Sequence, residues 1–156
     1  MNIVRNMRSD DIADLVYEIM LLSRLATQGI APYKRQAVLD RSATILLARL
    51  TASAPMSVAD LAEAFGLDIS TVHRQVAAAM KHGLIERIND PEGGSAKLHR
   101  ATVNGEKLLE EELGRRAQSI GYVTRQWPDS AVRELAQLLE RFNKDVEALR
   151  QQHWPR

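Results

Sequence analysis

The sequence predicts a mostly α-helical fold that contains one small β-hairpin. Apolar residues recur at helical spacing over most of the chain, and the segment Ser57–Thr102 interrupts this pattern in a definite order. Within it, SVADLAEAFGLD predicts a short helix and turn, and ISTVHRQVAAAMKHG a second helix with a glycine stop. LIERIND and KLHRATV predict two strands that PEGGSA connects. This order of elements is typical of a winged helix-turn-helix.

Composition and charge exclude several classes of protein. The 156 residues suffice for one well-packed core with extensions, and 45% of them are apolar. The chain has no cysteine, which excludes disulfides and thiolate chemistry. No apolar run approaches the ~20 residues that span a bilayer, and the N-terminus lacks the apolar core of a signal peptide, so we expect a cytoplasmic protein. The net charge of +1 excludes a polybasic protein but allows a local basic face.

The N-terminal region predicts two helices. Asp10 and Asp11 suit the first turn of a helix that ends near Gly29. One face of this helix carries apolar residues at 3-4-3 spacing, namely Ile12, Leu15, Ile19 and Leu22. A second helix is predicted over about Lys34–Leu50. Its predicted inner face consists of Val38, Ser42, Ile45 and Leu46.

The Ser57–Thr102 segment begins with two helices whose ends are clearly marked. Ser57 is a good N-cap, with Asp60 as its capping-box partner, and Gly66 falls where the turn needs a positive φ. Asp68 is predicted to cap the second helix, and Gly83 to end it. The predicted inward residues are Leu61, Ala62 and Phe65 in the first helix and Val72, Val76, Ala79 and Met80 in the second.

The outward face of the second helix carries side chains that are suited to reading DNA. In a helix-turn-helix, the N-terminal residues of the second helix reach base edges in the major groove. Arginine pairs with guanine and glutamine with adenine, while serine and threonine bond bases or phosphates. Residues 69–102 contain five basic and three acidic side chains, a modest local excess of positive charge. The residues predicted to contact DNA are Ser70, Thr71, His73, Arg74 and Gln75.

The C-terminal third predicts two further helices. The first begins near Asn104, runs to about Arg125 and carries Leu108, Leu109 and Leu113. The last follows Pro128 and has the clearest period in the chain, with apolar residues spaced 3-4-3-4-3 as in a coiled-coil seam. These residues are Val132, Leu135, Leu139, Phe142, Val146 and Leu149.

The sequence contains no recognisable motif for metal binding, phosphate binding or nucleophilic catalysis. His73 and His82 are nine residues apart, so they lie on different faces of a helix and do not match metal-ligand spacing. Gly93 and Gly94 are not followed by the Lys-Ser/Thr helix of a phosphate-binding loop. No serine has the sequence setting of a catalytic nucleophile. We therefore expect no metal, no cofactor and no enzymatic activity.

Over nearly its whole length the chain resembles the MarR family of bacterial transcriptional regulators. The resemblance rests on LDRSATILLARL (39–50), on SVADLAEAFGLDISTVHRQVAAAMKHGLIERIND (57–90), on DPEGGSAKLHRATVNGEKLL (90–109) and on the flanking helices. It implies a homodimer whose terminal helices interlock and whose recognition helices enter successive major grooves of a pseudo-palindromic operator. Family members are often repressors, and small aromatic or phenolic ligands often release them from double-stranded DNA.

The implied dimer agrees with the apolar faces at both ends of the chain, which exceed what one small domain can cover. The predicted dimerisation residues are Ile12, Leu15, Ile19, Leu22, Leu135, Leu139, Phe142 and Val146. Packing of these faces within one chain is the alternative. The domains predicted in this way are an N-terminal dimerisation helix and connector (1–34), a winged helix-turn-helix DNA-binding domain (35–102) and C-terminal dimerisation helices (103–156).

The predicted wing departs from the family pattern. The family's wing carries Asp-Arg-Arg after Asp-Pro-Glu, whereas this chain has Gly93, Gly94 and Ser95. The arginine that enters the minor groove is missing, so Arg87 and Lys97 are the remaining hairpin residues expected to contact DNA. We expect weaker binding through the wing and more reliance on the recognition helix. The wing lacks the usual arginine and the local positive charge is modest. The alternative function is therefore binding of a partner protein, instead of DNA, by the winged module.

Overall fold

The computed structural model describes residues 2–28 and 38–156, with side chains described over 9–25 and 38–156. The chain divides into two compact units, Met1–Gln36 and Ala37–Arg156. The first unit contains one described helix, and the second contains five helices and a two-stranded sheet. None of the described helices is both long and apolar enough to cross a membrane.

Helix α1 spans Asn2–Gln28 and is longer than predicted. It already includes the residues before Asp10, so the expected start at the acidic pair is wrong and the first turn contains no acid. The preceding residues, NIVRNMR, contain no proline or glycine that would stop a helix. No side chain described in α1 is buried in the isolated chain.

Helix α2 spans Arg41–Thr51 and begins later than predicted. The physical reason is Asp40, whose carboxylate accepts hydrogen bonds from the Ala43 N–H (2.8 Å) and the Ser42 hydroxyl (2.9 Å) and so caps the helix. The predicted stretch from Lys34 to residue 37 lies outside the described residues. Ile45 was expected to face inward but is 38% exposed. The buried side chains of α2 are instead Thr44, Leu46, Leu47 and Leu50.

Helices α3 (Val58–Phe65) and α4 (Ile69–Lys81) form the helix-turn-helix. The predicted capping box is present, because Ser57 Oγ accepts from the Asp60 N–H (3.1 Å) and Asp60 accepts from the Ser57 N–H (2.9 Å). Gly66 has φ 62°, a left-handed conformation that glycine adopts at little cost. The turn therefore follows from local sequence chemistry.

The inner faces of α3 and α4 match the prediction except at one position. Leu61 and Val72 are completely buried, and Val76 and Ala79 are nearly so. Met80 was expected to lie inward, but it is 37% exposed because Ala79 takes the inward position in the last turn of α4. The outward face of α4 remains polar.

Strands β1 (Ile85–Asn89) and β2 (Lys97–Ala101) form the predicted antiparallel hairpin. Arg87 pairs with His99, and the backbone of His99 also pairs with Met56 through hydrogen bonds of 2.8 and 3.1 Å. The hairpin is thereby attached to the segment that leads into α3, which fixes its position beside the helix-turn-helix.

Helix α5 spans Val103–Val123 and is joined tightly to the end of α4. Its N-cap is Thr102, whose hydroxyl accepts from the Gly105 N–H (3.0 Å) and donates to the Gly83 carbonyl (2.7 Å). Gly105 is buried, and a β-carbon at this position would press against the Leu84 carbonyl oxygen. The absence of a side chain therefore allows the start of α5 to lie directly on the backbone that enters β1.

Helix α6 spans Asp129–Arg150, begins after Pro128 as predicted, and contains no buried residue. The core of the second unit is formed instead by the part of the chain that runs from just before α2 to the first turns of α5. We call this part, residues 38–112, the winged module. Its buried apolar residues are Leu39, Leu46, Leu47, Leu50, Leu61, Ala62, Val72, Val76, Ala79, Leu84, Ile85 and Leu109.

One buried charge links α5 to the segment before α2. The Glu112 carboxylate accepts hydrogen bonds from the Val38 N–H (3.1 Å) and from Arg116 Nε (2.8 Å). Burial acts to raise the pKa of Glu112, but these hydrogen bonds outweigh it, and the pKa lies below its ordinary value. Removing either donor would leave the buried Glu112 carboxylate with an unmet hydrogen bond, which is costly, so the pair holds the junction in one arrangement.

Candidate nucleic-acid interface

The N-terminal half of α4 presents the polar surface that the sequence predicts. Ser70, His73 and Arg74 are exposed, while Thr71 and Gln75 are half-buried. The opposite face of the helix is held in the core by its buried valines and Ala79. This arrangement fixes the helix axis and leaves the polar side chains directed outward, which is what reading a groove requires.

Arg74 is available for a new partner at small cost. Its Nη2 donates to the Thr71 hydroxyl over 3.4 Å, at the long end of the hydrogen-bond range, and both groups are at the surface. A guanine edge or a phosphate offers arginine two parallel hydrogen bonds, which are stronger than this contact. This long hydrogen bond keeps the Arg74 side chain near the start of α4 but leaves its other N–H donors available to a ligand.

The two basic residues predicted on the hairpin share one of its faces. The register pairs Arg87 with His99 and Asn89 with Lys97, and paired residues project to the same side of a sheet. Lys97 Nζ donates to Asn89 Oδ1 over 2.7 Å, and the side chains of Arg87 and Lys97 are exposed. A further basic residue of β2 is neutralised by an ion pair of 2.7 Å with Glu86 on the other face.

His99 connects the hairpin electrostatically with the recognition helix. It is only 4% exposed, and burial lowers the pKa of its imidazole, with the charges of Arg87 and His73 adding to the effect. His73 on α4 and Arg87 on β1 therefore lie close enough to act on the same buried ring.

The tip of the wing carries no positive charge. Gly93, Gly94 and Ser95 are exposed, and Gly93 adopts φ 85° in the turn. The Asp90 carboxylate accepts from the Glu92 N–H (2.9 Å), and a β-carbon at Gly94 would come against that carboxylate. The positive φ therefore favours glycine at position 93, and a side chain at position 94 would require the Asp90 carboxylate to move.

The residues predicted to form a dimer interface are uncovered in the isolated chain. On α6, Leu135, Leu139 and Phe142 are 42–47% exposed, and Val146 is half-buried. The corresponding residues of α1 are likewise exposed, namely Ile12, Leu15, Ile19 and Leu22. A single α6 therefore leaves most of its apolar seam open to solvent.

A cleft that the sequence did not indicate lies between the helix-turn-helix and the end of α6. Its volume is about 770 Å³, and α2, α3, α4, α6 and the C-terminal residues all contribute to its walls. Aromatic and cationic side chains are prominent among them: Arg41, Phe65, Arg150, Trp154 and Arg156. The only sequence signal was a lone tryptophan in the polar tail QQHWPR. Among the described residues there is no group of three or more His, Asp or Glu side chains arranged to hold a metal ion.

Comparisons with known proteins agree with this architecture. A family profile described as HVO_A0114 matches residues 38–101. A Bacillus subtilis (strain 168) protein described as the uncharacterized HTH-type transcriptional regulator YxaD is 34% identical over 139 residues, which cover 88% of this chain and 97% of the relative.

Solved structures show the same fold. A MarR family protein from Bacillus stearothermophilus superposes with a TM-score of 0.71 at 18% identity, covering 90% of this chain and 96% of that one. The transcriptional regulator BldR from Sulfolobus solfataricus gives a TM-score of 0.67 at 18% identity, covering 89% and 96%. The predicted fold, mostly α-helical with a winged helix-turn-helix and one β-hairpin, is confirmed over the described residues.

Proposed function

The chain belongs to the helix-turn-helix transcriptional regulators with the MarR fold, which bind DNA, and from this premise we propose that it is a dimeric repressor. The proposed operator is pseudo-palindromic, with one half-site for each α4. Occupation of both half-sites would block a promoter by occlusion. The observation that carries this proposal is the polar, outward tip of α4 on a fully buried support.

The proposed dimer rests on the uncovered seam of α6. Exposed leucines and a phenylalanine at coiled-coil spacing are unfavourable in water, and contiguous apolar surface of this kind marks an interaction site. A second copy of the chain supplies a matching seam, and its two-fold symmetry matches a palindromic site. We assign residues 1–34 and 103–156 to dimerisation and 35–102 to DNA binding.

The proposed DNA contacts are divided between base reading and backbone binding. Arg74 and Gln75 are assigned to base edges, and Ser70, Thr71 and His73 to bases or phosphates near the N-terminus of α4. Arg87 and Lys97 are assigned to the DNA backbone, since their face of the hairpin is basic and its tip is not. The wing then contributes affinity with little sequence information.

The cleft beside α6 is the proposed site for an effector. Its walls combine the stacked rings of Phe65 and Trp154 with Arg41 and Arg150, a lining that suits a small aromatic molecule carrying negative charge. Because the cleft borders both α6 and the helix-turn-helix, a ligand bound there would favour one arrangement of the two over another.

Binding of random and selected duplex DNA across a range of salt tests the function. The logarithm of the affinity should fall linearly with the logarithm of salt concentration from about 50 to about 300 mM, with a slope of about −0.9 for each phosphate contacted. Selected fragments should contain two inverted half-sites about one helical turn apart. Binding that is weak and insensitive to salt would favour the alternative, a winged module that docks a protein.

A further inference from the structure

The last six residues, 151–156, fold back from the end of α6 onto the helix-turn-helix, and we call them the C-terminal strap. The reversal occurs at Gln151, whose φ of 54° is in the left-handed region. The Trp154 ring then stacks on Phe65, with centroids 6.1 Å apart and planes 27° from parallel. Arg49 holds the other side of the strap, since its guanidinium lies 5.5 Å from the Trp154 ring centroid.

Hydrogen bonds from side chains to backbone carbonyls fix the strap to α2 and α3. Arg49 Nη1 donates to the His153 carbonyl (2.8 Å), and Gln152 Nε2 donates to the Glu63 carbonyl (3.1 Å). The Glu63 carbonyl lies in the last turn of α3 and also accepts from the Gly66 N–H (3.2 Å), so Gln152 adds a second hydrogen bond at the end of that helix. The strap thus contacts the residues that immediately precede the turn into α4.

The other end of the strap is tied to α6. The Glu147 carboxylate accepts from both terminal nitrogens of Arg156 (2.6 and 3.0 Å) and from the Trp154 N–H (3.2 Å). This two-pronged arginine–carboxylate contact has a defined direction, which a single lysine contact would lack. The hydrogen bonds from Arg156 keep the pKa of Glu147 below its ordinary value, so the tie persists at neutral pH.

We propose that the C-terminal strap, with Trp154 as its principal positioning residue, sets the placement of the recognition helix relative to α6. Helix α6 buries no residue of its own against the winged module, so contacts through the strap are well suited to define the angle between them. In a dimer held by α6, that angle determines the separation of the two recognition helices. The proposal rests on the proposed function for its effect on DNA, but its structural content stands independently.

Three single variants test the strap in the full-length chain. Trp154→Ala removes the stacking and cation–π contacts, and Trp154→Phe keeps an aromatic ring against Phe65. His153→Ala is the matched control, because His153 contributes its backbone carbonyl and its side chain is exposed. We expect Trp154→Ala to lower operator affinity about three- to ten-fold, the range expected for one aromatic pair, and the other two variants to remain near wild type.

The readout that distinguishes positioning from simple stabilisation is the preferred spacing between half-sites. Selection from a library of inverted half-sites with variable spacers should give one dominant spacing for the wild type and a broader set for Trp154→Ala. Sedimentation should show an intact dimer, and the affinity for random DNA should be unchanged. An unchanged spacing preference in Trp154→Ala would overturn the proposal. If Trp154→Ala does not fold, Gln152→Ala is measured in the same way.

Hydrogen exchange separates failure of the strap from failure of the proposed function. The amides of residues 66–72, which form the turn and the start of α4, should exchange faster in Trp154→Ala than in the wild type or His153→Ala. Unchanged exchange there would reject the strap, whether or not the chain binds DNA. A wild-type chain without salt-dependent DNA binding would reject the proposed function, while faster exchange in the variant would still support the strap.

Discussion

The winged module and the terminal helices differ in how much of their apolar surface is buried within one chain. The module contains all the apolar side chains that are buried among the described residues, from Leu39 to Leu109. Helix α6 buries none, and neither does α1 over its described side chains. The module is therefore a complete core, whereas α6 presents an apolar face that the rest of its own unit leaves exposed.

This difference separates the physical requirements of reading DNA from those of assembly. A recognition surface must be rigid, since side chains that reach base edges need a fixed helix behind them. A dimerisation surface, in contrast, must keep its apolar side chains exposed in the single chain so that a second chain can cover them. The substitutions below act on one region while sparing the other, in order of decreasing expected effect.

Leu139→Asp should have the largest effect. A charge in the middle of the α6 seam would be buried without a partner in the proposed dimer, which costs several kcal/mol. We expect a monomer and a loss of operator affinity of more than about 100-fold, because two half-sites are no longer bound together. Sedimentation and gel-shift measurements check the two effects, and circular dichroism should show the winged module still folded.

The control for this variant is Gln137→Asp, which introduces the same charge on the opposite face of α6. Phe142→Asp should reproduce the loss, because it lies on the same seam. A Leu139→Asp chain that sediments as an intact dimer would contradict the assignment of the seam.

Arg74→Ala should weaken operator binding by about 1–3 kcal/mol if the side chain reads a base. The loss should be confined to sequences with the matching base, and Arg74→Lys should not restore it, because a lysine cannot make the paired hydrogen bonds. Lys81→Ala, at the opposite end of α4, is the matched control. A uniform loss on all sequences would instead identify Arg74 as a phosphate contact.

Ser95→Arg should strengthen DNA binding several-fold by returning a positive charge to the wing. The slope of affinity against salt should increase by about one phosphate contact. Gly94→Arg should help less, since its β-carbon would displace the Asp90 carboxylate that orders the turn. Equal affinities and equal salt slopes for Ser95→Arg and the wild type would mean that the wing tip does not approach DNA.

His99 should give the smallest effect, a dependence of stability on pH. Burial lowers its pKa from 6.5 in the folded chain, so below pH 6.5 the unfolded state binds more protons than the native state. The free energy of unfolding should therefore fall as the pH drops below 6.5 and stay level above it. Thermal melts from about pH 5 to about pH 7.5 measure this slope, which the His99→Gln variant should lack.

A slope of the same size in His99→Gln would assign the effect to another group. The carboxylates with lowered pKa are not candidates in this range. Asp40 and Glu112 lose their stabilising contribution only as the pH falls below their ordinary values of 3.8 and 4.5.

The sequence predicted best the features that depend on neighbouring residues. The capping box at Ser57 and the left-handed Gly66 follow from local hydrogen bonding and φ preference, and both are present. The predicted start of α2 was wrong. Asp40 is a good N-cap residue, but apolar residues at helical spacing continue before it, and the prediction followed that spacing. Met80 was misplaced because Val76, Ala79 and Met80 all satisfy helical spacing, and only tertiary packing selects between the last two.

The features that sequence reasoning missed depend on distant contacts. Glu112 has the sequence setting of an exposed helix residue, yet its partner is a backbone N–H 74 residues away. The C-terminal strap has no periodicity, and the partner of Trp154 is a phenylalanine on α3. Such contacts arise from how whole elements pack, which residue spacing along the chain does not encode. The DNA contacts and the dimer interface remain predictions.

Gly105 determines how closely the start of α5 is held, and any tilt at that start moves the far end of the helix most. Because its first turn lies directly on the Leu84 backbone, the start of α5 is held closely against the rest of the winged module. Its 21 residues extend about 30 Å at 1.5 Å per residue, so a tilt of a few degrees at one end moves the other by roughly 2 Å. A small change in the packing at Gly105 would therefore become a displacement of about 2 Å at the end of α5, which precedes α6 in the chain.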